Sequence, residues 1–399
     1  MLTRRHVLAS AGAAAALGFS PAPPVLAATK APPLPPPLKP EVFRERQSRL
    51  RAAARARNLD AIVVTPCANL TYAANLSIGR SERLTALLLP TDGPAVLVTP
   101  SFEEANHRRD AVVDDVKTWQ EDEDPIALAS SALSGKKAIG IEGSTPYATA
   151  GLLAAATGAK LEDATPLFDP LRRIKSPEEQ AFITEAARRT NLAISATHKR
   201  LRRGMTEGDL EGILEQEYAR LGLHGGGLVQ FGPSAAFPHG APGERALSKG
   251  DVVLIDSGCK IHGYTSDVTR TVCFGEPSEE LRKVHRTVQN AQTAGIEALK
   301  AGQTGQDVDR AARRVIEEAG YGEFFTHRLG HGLGLDGHEP PYLVRGNRTP
   351  LEVGNTVTIE PGIYIPGKFG VRIEDDYAVT TGIPGSLSVR PLDLEVIPA

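Results

Sequence analysis

A chain of 399 residues, 41% hydrophobic and 23% charged, can bury the cores of two domains and is too polar for a membrane-embedded protein. Its net charge of −3 argues against nucleic acid or an anionic membrane surface as a partner. Three cysteines, Cys67, Cys259 and Cys273, are too few and too irregularly spaced for a disulfide framework or a thiolate metal site, and read as free thiols.

At the start, Thr3-Arg4-Arg5-His6-Val7-Leu8 sets paired arginines ahead of an Ala-rich apolar run ending at Phe19, and Val25-Leu26-Ala27 offers a small-residue cleavage site. This pattern predicts a twin-arginine export signal over 1–28 and a periplasmic destination. The apolar run is shorter than the roughly 20 residues a membrane span needs, so no stable membrane insertion is expected. Residues 29–40 are Pro-rich and predict an extended tether.

Residues 41–170 read as an α/β domain. Short apolar runs at 61–66, 86–91 and 95–100 are bounded by turn formers, as buried strands are, and 41–57 and 145–157 have helical spacing. A second domain is expected over 171–399. Ser176-Pro177-Glu178-Glu179 supplies an N-cap, a proline at the first helical position and a capping-box glutamate, predicting a long helix to about Arg203.

That second domain contains a repeat. LSKGDVVLID at 247–256 recurs as LEVGNTVTIE at 351–360, so Leu, Gly, Asp/Asn, Val, Ile and an acid return at one constant offset. Upstream of each copy a helix is expected to end at glycine, Gly204 or Gly302, before a Thr-x-x-Asp cap at Thr206 or Thr304 and a second helix. The predicted fold is α+β: two helix-helix-strand-strand halves related by a pseudo-twofold around an antiparallel sheet.

Each half ends its strand on an acid and carries a second acid beyond a glycine-marked turn: Asp256 and Asp267 in the first, Glu360 and Glu374 in the second. Hairpin return brings the four carboxylates together. Two such charges 4 Å apart repel by about 4 kcal/mol at an effective dielectric near 20, so the cluster calls for divalent metal, and two ions balance the four charges. A nitrogen ligand is expected from THRLGHGLGLDGHEPP at 326–341, which holds His327, His331 and His338 among glycines that let backbones approach closely. The formal GxGxxG from Gly332 to Gly337 is not a dinucleotide site, because His338-Glu339-Pro340-Pro341 cannot open a phosphate-binding helix.

With these motifs in hand, FPHG at 237–240, DSGCKIHGYTSDVTRT at 256–271, THRLGHG, HEPP, TIEPGIY at 358–364 and VRIED at 371–375 resemble the pita-bread metallopeptidases, in particular Xaa-Pro dipeptidases (prolidases) and Xaa-Pro aminopeptidases. The resemblance runs from about 170 to the end, and the domain before it looks like that family's N-terminal domain. It implies Asp256, Asp267, His331, Glu360 and Glu374 as ligands of two metal ions, with Asp267 and Glu374 bridging. It also implies outer-shell roles for His239, His327 and His338, and a homodimer. Phe237 and Leu329 depart from the family pattern.

The implied reaction is hydrolysis of the Xaa-Pro bond, most simply in dipeptides or short proline peptides. In it the metals activate water, Glu360 shuttles the proton and His338 donates to the oxyanion. The oxygen-rich donor set favours manganese, with zinc or cobalt as alternatives. Arg372, two residues from Glu374 on a strand, shares its face and has two candidate jobs, counter-ion of the cluster or receptor for the proline carboxylate. If Arg372 is the counter-ion, the length preference falls to other groups, such as Arg80 or Arg83 of a dimer partner. The rival readings are an Xaa-Pro aminopeptidase acting on longer peptides and an inactive pita-bread binding module.

Overall fold

The computed structural model describes residues 33–399 except 242, 244 and 392. The expected export signal and the first part of the tether lie outside the described residues. Pro33–Lys39 runs without helix or strand and is pinned rather than free: the Pro35 carbonyl lies 2.7 Å from His262 Nε2, and Leu38 packs on the core.

The strands β1 (Ala61–Val64), β2 (Ala86–Pro90), β3 (Val96–Pro100), β4 (Asp115–Trp119), β5 (Ala138–Ile141) and β6 (Lys160–Asp163) form one mixed sheet in the order β4-β3-β2-β1-β5-β6. Each of the three apolar runs became a strand, and β1 to β3 are buried throughout, as strands covered on both faces must be. The helices that accompany them are α1 (Pro40–Ala56), α2 (Ala68–Ala74), α3 (Glu104–Asp110), α4 (Pro125–Ala132), α5 (Tyr147–Thr157) and α6 (Thr165–Arg172).

Next comes α7 (Pro177–His198), opened by the Ser176 capping box with both reciprocal hydrogen bonds made. It stops before the expected Arg203 because the chain must turn to bury Leu201 and reach the next cap at Thr206. The order continues α8 (Glu207–Arg220), β7 (Gly225–Phe231), β8 (Val252–Ile261), β9 (Tyr264–Thr265), β10 (Val268–Phe274), α9 (Glu279–Ala298), α10 (Gly305–Glu318), β11 (Gly330–Gly332), β12 (Glu339–Leu343), β13 (Thr356–Ile359), β14 (Gly362–Ile365), β15 (Phe369–Arg372) and β16 (Asp375–Ala378). Among the described residues no helix is long and apolar enough to cross a membrane.

The repeat is visible bond by bond. Gly204 N–H donates to the Leu247 carbonyl at 2.8 Å and Leu247 N–H returns to Met205 at 2.7 Å; Gly302 and Leu351 do the same at 2.9 Å and, through Gln303, at 2.8 Å. Thr206 and Thr304 both head capping boxes. Gly250 and Gly354 occupy equivalent turns at φ +89° and +90°, where a side chain would strain the backbone. Neither preceding helix runs to its glycine, for α7 and α9 end at His198 and Ala298, and Gly204 and Gly302 close the turns that follow.

The hydrogen-bonded ladder divides into two five-stranded sheets and a ribbon. β10, β8 and β7 pair with Val396–Ile397 outside β10 and β9 on the end of β8; β12, β11, β13 and β16, with Gly385–Ser386 outside β16, form the second sheet, and β14 and β15 pair with each other as the ribbon. The sheets meet where Glu374 N–H donates to the Thr269 carbonyl at 3.2 Å. Along β8 the pleat sends Val253 and Ile255 into one core and Val252 and Leu254 into the other, so Asp256 continues the second row.

Candidate active site

Asp256 ends the apolar part of β8 opposite Thr269 of β10, and Asp267 stands just before β10 where the β9 excursion rejoins the ladder. In the second half Ile359 pairs with Asp375, which leaves Glu360 and Glu374 facing each other one step beyond, while the residues between them make the β14–β15 ribbon. Fourteen residues rather than eleven separate this second pair because the ribbon is inserted there. Gly330 permits β11 to lie against β13: a Cβ there would come within 2.1 Å of the Thr358 carbonyl oxygen.

These elements enclose a cavity of about 470 Å³ lined by Pro238, His239, Asp256, Asp267, His327, Arg328, His331, His338, Glu360, Arg372 and Glu374. Every ligand and catalytic residue expected from the sequence is in that set, whereas Arg80 and Arg83 line a separate cavity of the N-terminal domain. Donor atoms group within 4.8 Å as Asp256–Asp267–Glu374, His331–Glu360–Glu374 and Asp267–His331–His338.

The three histidines of the glycine-rich segment have different surroundings. His327 Nδ1 lies 2.7 Å from the Arg328 carbonyl and therefore carries the proton, which leaves Nε2 to accept from the Tyr364 hydroxyl at 2.8 Å. His331 Nδ1 likewise donates to the Gly332 carbonyl at 3.1 Å, but its Nε2 faces Glu360 Oε1 at 3.3 Å and Asp267 Oδ2 at 3.8 Å. Burial pulls the imidazole of His331 down to about 3 and that of His327 to about 4, so both are neutral at pH 7. His338 is exposed, with its ring centre 4.0 Å from that of His331, and burial of part of the ring together with Arg328 and His239 lowers its pKa. His239 is exposed on the cavity wall.

Electrostatically the acids are in conflict. Burial, then Asp256, Asp376 and Glu360, push Asp267 well above the usual carboxylate range; burial, then Asp267, Glu360 and Asp256, do the same to Glu374. Glu360 is pushed up to about 8 chiefly by burial, against the opposing pull of Arg372. A neutral imidazole with a free nitrogen beside acids that repel one another is a donor set that suits divalent cations.

Sequence reasoning missed several supporting residues. Thr269 Oγ1 donates to Glu374 Oε2 at 2.6 Å, Thr358 Oγ1 to Glu360 Oε1 at 3.2 Å, and Asp267 N–H to Asp376 Oδ2 at 3.1 Å. Behind Glu374, Arg270 holds the Glu374 carbonyl at 2.7 Å and Asp375 at 2.7 Å. Strand alternation could have singled out Thr269, which is two residues from Asp267. Arg372 does share the site with Glu374: Nη2 meets Asp256 Oδ2 at 2.6 Å, Nη1 meets the Tyr364 hydroxyl at 2.8 Å and the Pro238 carbonyl at 3.3 Å, and Nε meets Thr269 Oγ1 at 3.1 Å.

With this geometry the sequence comparisons agree. The model of metallopeptidase family M24 matches residues 181–381, which contain all the acids and histidines above, and the creatinase/prolidase N-terminal domain matches 46–174. The chain belongs to metallopeptidase family M24. A probable dipeptidase PepE of Mycobacterium bovis is 37% identical over 372 residues, covering 90% of this chain and 97% of its own. Among solved structures, dipeptidase PepE from Mycobacterium ulcerans superposes with TM-score 0.83 at 34% identity over 91% of this chain and 100% of that one. An Xaa-Pro dipeptidase from Bacillus anthracis gives 0.82 at 33% identity over 89% and 99%. This M24 chain is therefore a peptidase with the pita-bread fold, and membership implies divalent metal as cofactor.

Proposed function

We propose that this M24 enzyme hydrolyses the Xaa-Pro bond of dipeptides with two divalent metal ions. Asp256, Asp267, His331, Glu360 and Glu374 would hold them. One observation carries the number two: Glu374, Asp267 and His331 each belong to two of the three donor groups, and since His331 has only Nε2 left to give, Glu374 and Asp267 are the residues that two neighbouring ions would share. Similarity to an Xaa-Pro dipeptidase over most of both chains supports the substrate. Bound divalent ions supply Lewis acidity at the scissile carbonyl and acidify water, and manganese suits the oxygen-rich set best, with zinc or cobalt as substitutes.

The chain's own residues supply the rest. Glu360 takes a proton from the attacking water and delivers it to the proline nitrogen as the C–N bond breaks. His338, neutral at pH 7 because its pKa is lowered, offers an N–H to the oxygen that gains charge during attack. Tyr364 and Thr269 brace Arg372, whose guanidinium balances Asp256 as a counter-ion.

The test is hydrolysis of Ala-Pro and Ala-Pro-Ala by metal-stripped protein given Mn²⁺ in increments. Faster turnover of Ala-Pro, saturating at two ions per chain, is expected. Preference for Ala-Pro-Ala would make the enzyme an Xaa-Pro aminopeptidase, and no cleavage with metal bound would make it a binding module. We further propose twin-arginine export of the folded chain to the periplasm and, separately, a homodimer. Replacing Arg4 and Arg5 by lysine should retain active enzyme in the cytoplasm; unchanged fractionation would refute the signal. Light scattering reads the dimer.

A further inference from the structure

Two guanidinium groups line the cavity, and they are in opposite states. Arg372 is buried, and four partners already occupy its donors: Thr269, Tyr364, Pro238 and Asp256. Little capacity is left there for a substrate group. Arg328 lines the same cavity half-buried, and among the described residues its guanidinium meets no carboxylate and makes no hydrogen bond. Its charge centre stacks 4.7 Å over the ring of Tyr342. A guanidinium held over an aromatic face in this way keeps its N–H donors available.

An unpaired cation on the wall of an acid-rich cavity is unusual, because buried and half-buried charges normally find partners. Its charge is felt in the site, where it opposes protonation of His338 and His331. We infer that Arg328 is a specificity residue that binds a carboxylate of the substrate through a charge-assisted, bidentate pair. This rests on the peptidase reading above. The carboxylate has two sources, the free C-terminus of an Xaa-Pro dipeptide or the side chain of an acidic residue before proline. The guanidinium chemistry is the same for both, and substrates separate them.

The experiment compares kcat/KM of the metal-loaded enzyme and its Arg328→Ala variant on Ala-Pro against Ala-Pro-amide, and on Asp-Pro-amide against Asn-Pro-amide. Loss of a charge-assisted pair should lower the first ratio by about 10- to 100-fold if the C-terminus is bound, or the second by as much if the side chain is bound. Arg328→Lys, which keeps the charge without the fork, should fall between wild type and Ala, and carries the comparison alone should Ala not fold. Both ratios within twofold of wild type would overturn the proposal. Failure of the peptidase reading is distinguishable, since the wild type itself would then cleave none of the four.

Discussion

Glu339 and His338 are neighbours in sequence and serve two buried charge clusters that obey opposite rules. Glu339 turns to the junction between the N-terminal sheet and the catalytic domain, where Arg172 holds one carboxylate oxygen and Lys175 the other at 2.5 Å. Arg172 continues to Asn69 at 2.8 Å and Asn69 to Glu142 at 3.1 Å, and nearby Arg46, Glu179 and Tyr264 tie α1, α7 and β9 together. Burial works to raise the Glu339 carboxyl, but Lys175 and Arg172 outweigh it and hold the group below its usual range. His338 turns to the cavity, where four acids face one paired arginine and three of them, Asp267, Glu360 and Glu374, are pushed up instead. Where charge is matched the cluster holds two domains together; where it is left unmatched the cluster attracts an outside cation.

The strongest way to break this contrast is to remove a shared acid. Asp267→Ala or Glu374→Ala should abolish turnover of Ala-Pro and leave fewer than two metal ions per chain by elemental analysis. Full activity with two ions would end the dinuclear assignment. On the matched side, Glu339→Ala strands the buried Lys175 and leaves Arg172 with Asp336 and Asn69, and urea unfolding of the metal-loaded protein should report a loss of about 3–5 kcal/mol. His338→Ala, one residue away, should leave stability and both metals in place yet lose about 10²–10³ in kcat, as for a removed oxyanion donor. Metal loss in that variant would make His338 a ligand.

A smaller effect sharpens the comparison through pH. In chelated protein Glu360 has a folded pKa of about 8 against an ordinary 4.5, and Asp267 and Glu374 are raised as well. The native state then binds protons the unfolded state has lost, so stability falls as pH rises toward 8. His331 and His327 are shifted the other way, to about 3 and about 4, and oppose this only below about 6.5, where an unfolded histidine titrates. Raising pH from 6.5 to 8 should therefore cost the metal-free protein about 1–2 kcal/mol through Glu360 alone, with Asp267 and Glu374 adding in the same direction. Saturating Mn²⁺ should flatten the slope, and a flat profile in chelator would show that the acids are not in conflict.

Much of this was legible in the sequence because it is written in short-range patterns. The Ser176, Thr206 and Thr304 capping boxes need only four consecutive residues each, and all three formed. The three apolar runs before residue 101 became buried strands, and the repeated LSKGDVVLID and LEVGNTVTIE carried Asp256 and Glu360 to the same cavity, although β13 stops one residue before Glu360 whereas β8 continues past Asp256 to Ile261, where β9 pairs with it. Two-residue periodicity was enough to bring Arg372 to the same cavity as Glu374. The division of the sheet was not legible, since a hydrogen bond such as that from Glu374 to Thr269 leaves no mark in either strand's own pattern.

By itself, then, the sequence determined several elements, their caps and the acids that would converge, because these follow from short-range spacing and from one repeat of about ten residues. Tertiary structure alone decided what each polar group does on arrival. His327 and His331 stand four residues apart in the same glycine-rich stretch, yet Tyr364 occupies the Nε2 of one while the acids receive that of the other. Strand spacing singled out Arg372 and left Arg328 unremarked, and only the cavity shows the first saturated and the second without a carboxylate or hydrogen-bond partner among the described residues. Glu339 meets Arg172 and Lys175 across more than 160 residues. Which partner satisfies a buried charge is settled by groups brought together from distant parts of the chain, where desolvation makes every unmade pair expensive.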